Sequence, residues 1–220
     1  MTYLLNIQRM NLKTACLYAI IAHAISLLKN PELDYEQSWD GINYSQVNGQ
    51  GARGTVSFSE QIVVGVFRNE NLHQSYRPAE NYIAGADKKF EELAENETFQ
   101  YLLDDLSHYS PGSGKKEIKP VITTAFWGED ELLSNDTVAE FKLHSDGLLD
   151  FAFLNQKEQK EYWKEYCELT PEEMDLVENI FKIKQNHLEQ EIEIADFKEY
   201  SAKNYEIEGI SACRLSLSEI

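Results

Sequence analysis

The chain has 220 residues, with 20 Lys and Arg against 38 Asp and Glu and a formal net charge of −18. Hydrophobic residues at 42% and aromatics at 11% are too many for an acidic disordered chain, and 11 Gly and 5 Pro exclude a collagen-like or linker-like composition. The excess charge lies downstream: residues 1–80 carry a net −1 and residues 81–220 a net −17, a field that repels the phosphate backbone of nucleic acids and anionic membrane surfaces.

Thr14 to Leu28 is an uncharged run preceded by Arg9 and Lys13. Leu17, Ile20, Ile21, Ala24, Ile25 and Leu28 recur at spacings of three and four, which predicts a core helix with one buried face, stopped by Pro31. The run is short for a membrane span, which takes about 20 apolar residues. The same run also fits a signal segment. Met10 would be an internal start, Ala22-His23-Ala24 has the small-x-small form of a cleavage site, and the secreted form would begin after Ala24. Tyr18 and His23 interrupt that apolar core, so the expectation is a core helix in a cytoplasmic protein.

Residues 40–68 change period. Ile42-Asn43-Tyr44, Thr55-Val56-Ser57-Phe58 and Ile62 to Phe67 are β-branched and aromatic, and predict three antiparallel strands over about 42–68, the last two joined through Ser59-Glu60-Gln61. Residues 78–107 return to helical spacing, with Asp87 ahead of Phe90, Leu93 and Ala94, then Phe99, Leu102, Leu103 and Leu106. Ser110-Pro111-Gly112-Ser113-Gly114 is the strongest break, and Val121 to Phe126 follows as a strand able to rejoin the sheet. Thr137-x-x-Glu140 and Thr170-Pro171-Glu172-Glu173 both predict helix starts, the second leading an apolar stripe of Met174, Val177, Ile180 and Phe181. Asp146-Gly147 is taken as the end of the helix begun at Thr137, and residues 189–194 fit strand or helix equally. The predicted fold class is α+β: a small antiparallel sheet, about residues 41–68 plus 121–126, packed against a mainly helical remainder. One domain spans 1–220, with 110–119 as the place where a boundary would fall.

Gly49-Gln50-Gly51-Ala52-Arg53-Gly54 is a literal G-x-G-x-x-G, but a strand follows it, whereas a dinucleotide loop needs a helix there. With Thr55 and Val56 these eight residues are similar to the glycine-rich loop of protein kinases. That family's other requirements are missing: Lys is absent between Lys29 and Lys88, and neither H-R-D nor D-F-G occurs. The stretch is read as a glycine-rich turn between strands. Ser113-Gly114-Lys115 is no P-loop, because Tyr109 stands where the first glycine belongs. Cys16, Cys167 and Cys213 are odd in number and form no C-x-x-C, so reduced, partly buried thiols are expected rather than a disulfide framework or a zinc ribbon. The five histidines His23, His73, His108, His144 and His187 are too dispersed for a metal pair on one helix, and no G-x-S-x-G elbow occurs. No catalytic residue, cofactor or metal is assigned.

Two polar-aromatic clusters stand out at strand ends, one around Trp39, Asp40 and Tyr44, the other around Trp127, Glu129 and Asp130. Aromatic residues beside carboxylates suit a surface for a basic partner, while the plainer reading, and the commoner case, is two tryptophans at the edge of the core beside ordinary turns. The functional expectation is therefore a non-catalytic protein-binding module, immunity-like or inhibitor-like, for a basic protein, with no nucleic acid and no membrane. The alternative is an enzyme with a dispersed site in which His144 or His108 works with carboxylates near Trp127. A deep pocket holding a histidine or an acid of perturbed pKa is the feature that would favour it.

Overall fold

The structure is a computed structural model, and it describes residues 1–72, 77–102, 107–109, 116–118, 121–186, 205 and 207–220. They form two compact units, the first of Met1–Met10 with Ile42–Phe153, the second of Asn11–Gly41 with Leu154–Ile220. Of the segment 110–119, only 116–118 are among the described residues.

The strands are β1 (Tyr3–Gln8), β2 (Gln37–Asp40), β3 (Asn43–Val47), β4 (Ala52–Phe58), β5 (Val63–Asn69), β6 (Arg77–Pro78), β7 (Ser107–Tyr109), β8 (Lys116–Ile118), β9 (Val121–Ile122), β10 (Thr124–Gly128) and β11 (Glu131–Ser134). The helices are α1 (Arg9–Ser26), α2 (Lys88–Asn96), α3 (Val138–His144), α4 (Gln156–Tyr166), α5 (Pro171–Asn186) and α6 (Ile207–Ser218). Within the first unit the main sheet has the order β1-β11-β10-β5-β4-β3, and β6 with β9 and β7 with β8 form two small ribbons. The fold is α+β, as the sequence predicts.

In the first unit the sheet is covered on both faces, because its strands alternate two apolar sets. Val64 and Val66 with Ala125 and Trp127 share one face and pack with Phe90 and Ala94 of α2, Phe99 and Leu102. The other face carries Phe67 and Phe126, which meet Phe141 of α3 edge-on at ring separations of 5.5 and 5.9 Å. Gly65 lies opposite Phe126 in the β5–β10 register, and a Cβ there would sit 2.3 Å from that ring. The glycine is the floor on which the phenyl ring rests. On the α2 side the polar positions satisfy one another. The Ser57 hydroxyl donates to Asn43 Oδ1 at 2.6 Å and lies 2.8 Å from the Thr98 hydroxyl, while Asn43 Nδ2 donates to Glu97.

The glycine-rich stretch is a hairpin turn: Asn48 Oδ1 accepts from the backbone of Gln50 and Ala52, and Gly49 and Gly51 take positive φ. Asp146 and Gly147 end α3, both at positive φ, with the Gly147 N–H donating to the Lys142 carbonyl. The run 121–126, expected as one strand, divides at Thr123. Val121–Ile122 pairs with β6, whereas Thr124–Gly128 enters the main sheet. Thr123 is the pivot. Its N–H donates to Phe67 O, its hydroxyl donates to His144 O at 2.6 Å, and that hydroxyl accepts from Asn69 N. β1 and β11 are strands that the periodicity does not announce.

In the second unit α1 is buried at every position from Ala15 to Ser26, rather than along one stripe. Small residues on the remaining faces (Ala15, Ala19, Ala22 and Ala24) allow this, since a helix apolar all round can be packed all round. Tyr18 donates to Glu178 at 2.8 Å and meets the Phe181 ring of α5 at 5.1 Å. α5 begins with the predicted capping box: Thr170 Oγ1 accepts from Glu173 N, and the Glu173 carboxylate accepts from Thr170 N. α6 approaches the end of α1 so closely that a Cβ on Gly209 would stand 2.4 Å from the Leu28 carbonyl oxygen. Residues 189–194 lie outside the described residues.

Candidate functional site

The two aromatic-carboxylate clusters are placed with their aromatic members inside. Trp39 is buried and its Nε1 donates to the Gly41 carbonyl at 3.0 Å, bracing the turn after Asp40. Tyr44 is buried with its hydroxyl toward Gln46, and Trp127 belongs to the core beneath α2. Asp40, Glu129 and Asp130 are exposed, and Glu129 pairs with Lys89. Trp39 and Asp40 belong to the second unit, and Tyr44, Trp127, Glu129 and Asp130 to the first. Trp39 braces its turn and Trp127 packs in the core, and the carboxylates are what the adjoining turns present to solvent. Of the histidines weighed for a dispersed active site, His144 ends α3 with Nδ1 2.9 Å from Asp136 Oδ2. The side chain of His108, and His73 and His187 entirely, lie outside the described residues.

A different constellation is built inside the second unit. The last turn of α1, the chain from Asn30 to Glu36 and the end of α4 enclose a pocket of about 320 Å³, lined by His23, Ser26, Asn30, Leu33, Glu36, Tyr166, Cys167 and Glu168. His23 and Ser26 are one helical turn apart and share a face of α1, with the Ser26 hydroxyl donating to the His23 carbonyl at 2.7 Å. α4 is fixed at its start by a capping box between Asn155 and Glu158. It closes in a Schellman turn, where Leu169 N donates to Lys164 O and Glu168 N to Glu165 O, with Glu168 in the left-handed region at φ 51°. This reversal brings Tyr166, Cys167 and Glu168 to the pocket. Tyr166 is itself held by stacking on Tyr162 (5.9 Å, 9°) and by edge contact with Trp163 (5.4 Å).

Burial gives the floor groups their charge state. His23 is 1% exposed, and its buried Nε2 has no hydrogen-bond partner. Desolvation lowers its pKa to about 4 against the opposing pull of Asp34 and the Leu33 carbonyl, so the ring is neutral at pH 7. Desolvation likewise pushes Cys167 up to about 12, leaving a neutral thiol beside the Ser26 hydroxyl. Glu36, half-buried, is held above its ordinary value by desolvation. Lys29 stands nearby but is committed: Nζ donates to the Glu168 carbonyl at 2.7 Å and pairs with Glu173 at 2.9 Å. Neither His23 nor Cys167 is activated for chemistry, since a base with a pKa near 4 is weak and a thiol with a pKa near 12 is not nucleophilic at neutral pH. What the pocket offers is a buried ring nitrogen without a partner, a half-buried carboxyl group and a half-exposed aromatic wall.

Sequence reasoning missed this site because its residues come from three separated segments. His23 reads as an interruption of an apolar run and Cys167 as packing; no local spacing links them. Among the described residues no group of three or more His, Cys, Asp or Glu is arranged to hold a metal ion, and no helix is long and apolar enough to cross a membrane. The chain matches no family model, and no curated protein or solved structure matches it at significant similarity.

Proposed function

We propose that this protein is a cytoplasmic, non-catalytic binding module whose acidic surface engages a basic protein, in the manner of an immunity protein or an inhibitor. The observation that carries this reading is the net −17 of residues 81–220, with carboxylates standing in solvent. Glu158, Glu161 and Glu165 are exposed at positions i, i+3 and i+7 of α4, and Asp40, Glu129 and Asp130 are exposed at the turns. A surface of one sign speeds encounter with an oppositely charged partner and rejects like-charged ones. The competing reading, an enzyme with a dispersed site, has the His23 pocket in its favour. The neutral, unactivated state of His23 and Cys167 suits recognition better than bond-making.

The test is capture from the native source with the tagged protein at low and moderate salt, followed by reconstitution with the purified partner. A stoichiometric basic protein, held less tightly as salt rises and weakened further by Glu161→Lys and Glu165→Lys together, is the expected result. A partner without basic character, or binding indifferent to salt and to both reversals, would refute the reading.

A further inference from the structure

We propose that the pocket of the second unit is a binding site for a primary ammonium group carried on a short alkyl chain. The donor and acceptor balance selects this chemistry. An ammonium has three N–H donors and no acceptor, and the pocket supplies acceptors. The ring proton of neutral His23 is drawn to the Leu33 carbonyl, which leaves Nε2, buried without a partner, as an acceptor, and Glu36 has no ion-pair partner among the described residues. A buried imidazole nitrogen without a protein partner costs its desolvation, and a donor from a ligand restores the bond. An anion would face Glu36 and Glu168 in the lining and Asp34 beside His23. Lys29, the neighbouring cation, is already held by Glu173. Tyr166, half-exposed and with one ring face stacked on Tyr162, lines the pocket as an aromatic wall beside which a cation would sit, and Leu33 offers apolar surface to the alkyl stem. The volume of about 320 Å³ is at the small end of ligand sites, which fits a chain of a few carbons.

The same chemistry is carried by a free alkylamine and by a lysine side chain, and only the second source rests on the basic-partner proposal. The experiment is an NMR titration of the full-length ¹⁵N-labelled protein, following the imidazole nitrogens of His23. The titrants are n-butylammonium, n-butanol as its uncharged counterpart, and a capped Gly-Lys-Gly peptide. Butylammonium is expected to shift Nε2 saturably and butanol to leave it unmoved. Glu36→Gln, an isosteric change at a half-buried position, is expected to weaken binding about tenfold or more, and Tyr166→Ala several-fold. Retention of the neutral imidazole signal in each variant certifies that the pocket is intact. The absence of a saturable shift, equal responses to butylammonium and butanol, or wild-type affinity in Glu36→Gln would each overturn the proposal. Peptide binding at least as tight as that of butylammonium assigns the site to a lysine side chain; butylammonium binding without peptide binding assigns it to a free amine. A basic protein partner whose affinity ignores Glu36→Gln leaves the basic-partner reading standing and removes the lysine source.

Discussion

His23 lies in the last turn of α1, a helix buried at every position from Ala15 to Ser26. Its side chain is buried at a helix end, where desolvation lowers the pKa to about 4, whereas the unfolded chain returns it to about 6.5. The folded state therefore releases its proton more readily than the unfolded state. The stability tied to the neutral ring is complete above pH 6.5 and is lost as pH falls from 6.5 to 4. The full difference is about 3 kcal/mol, and about 2 of it is gone at pH 5. Urea unfolding of wild type and His23→Gln at pH 7.5 and pH 5.0 isolates this contribution from the carboxylates that titrate in both proteins. Wild type is expected to lose about 2 kcal/mol more than the variant over that interval; parallel losses would mean that the ring is already solvated. None of this was legible beforehand. In sequence, His23 is one polar residue in an apolar run, and Glu36 and Cys167, which line the same pocket, arrive by chain reversals that no spacing encodes. The carboxylates at Asp40, Glu129 and Asp130 were legible as exposed charge. The burial of Trp39 and Trp127 was legible only as the commoner case for tryptophan, because an aromatic beside a turn has the same local signature whether it braces the turn from inside or stands outside it.

Element ends divide into those that follow local rules and one that breaks them. The capping boxes at Thr137 and Thr170 could be read directly, because donor and acceptor lie three residues apart and need no tertiary context. The three hairpin strands over 42–68 were legible for the same reason. β1 was not, since it owes its strand state to pairing across more than 120 residues, Tyr3 opposite Ser134 and Leu4 opposite Leu133; β11 is a four-residue run that forms by folding back on β10, Trp127 opposite Leu133. The exception at an end is Glu168. Asn6 and Asp146 also have positive φ, but their short side chains tolerate it; Glu168 occupies at φ 51° the position after α4 that helices ordinarily give to glycine. Glu168→Gly is accordingly expected to raise the unfolding free energy by about 1 kcal/mol in urea titration, despite deleting a side chain. An unchanged or lowered value would show that the carboxylate gains more from its surroundings than the backbone loses. The natural residue, which lines the pocket and accepts from Lys29 through its carbonyl, is thus kept at the expense of helix-end stability.

At the scale of the whole molecule, a net charge of −18 acts on folding and on recognition with opposite dependence on salt. Within the chain, 38 acidic side chains outnumber 20 basic ones, so at low ionic strength the compact state carries unbalanced self-repulsion that the expanded chain relieves. Raising salt from about 10 to about 150 mM shortens the screening length from about 30 to about 8 Å, below the span of the molecule but not below the reach of a direct ion pair. Contacts such as Lys160–Glu178 at 2.7 Å persist, while repulsion between distant carboxylates fades. The thermal midpoint is therefore expected to rise by a few degrees over that range, and to rise less in a variant in which Glu161 and Glu165 are replaced by Gln. Attraction to a basic partner is weakened by the same screening. Measured side by side, a midpoint that climbs with salt while partner affinity falls separates loss of electrostatic attraction from loss of fold. A midpoint that falls with salt would mean that local ion pairs, rather than net repulsion, dominate the electrostatics of this chain.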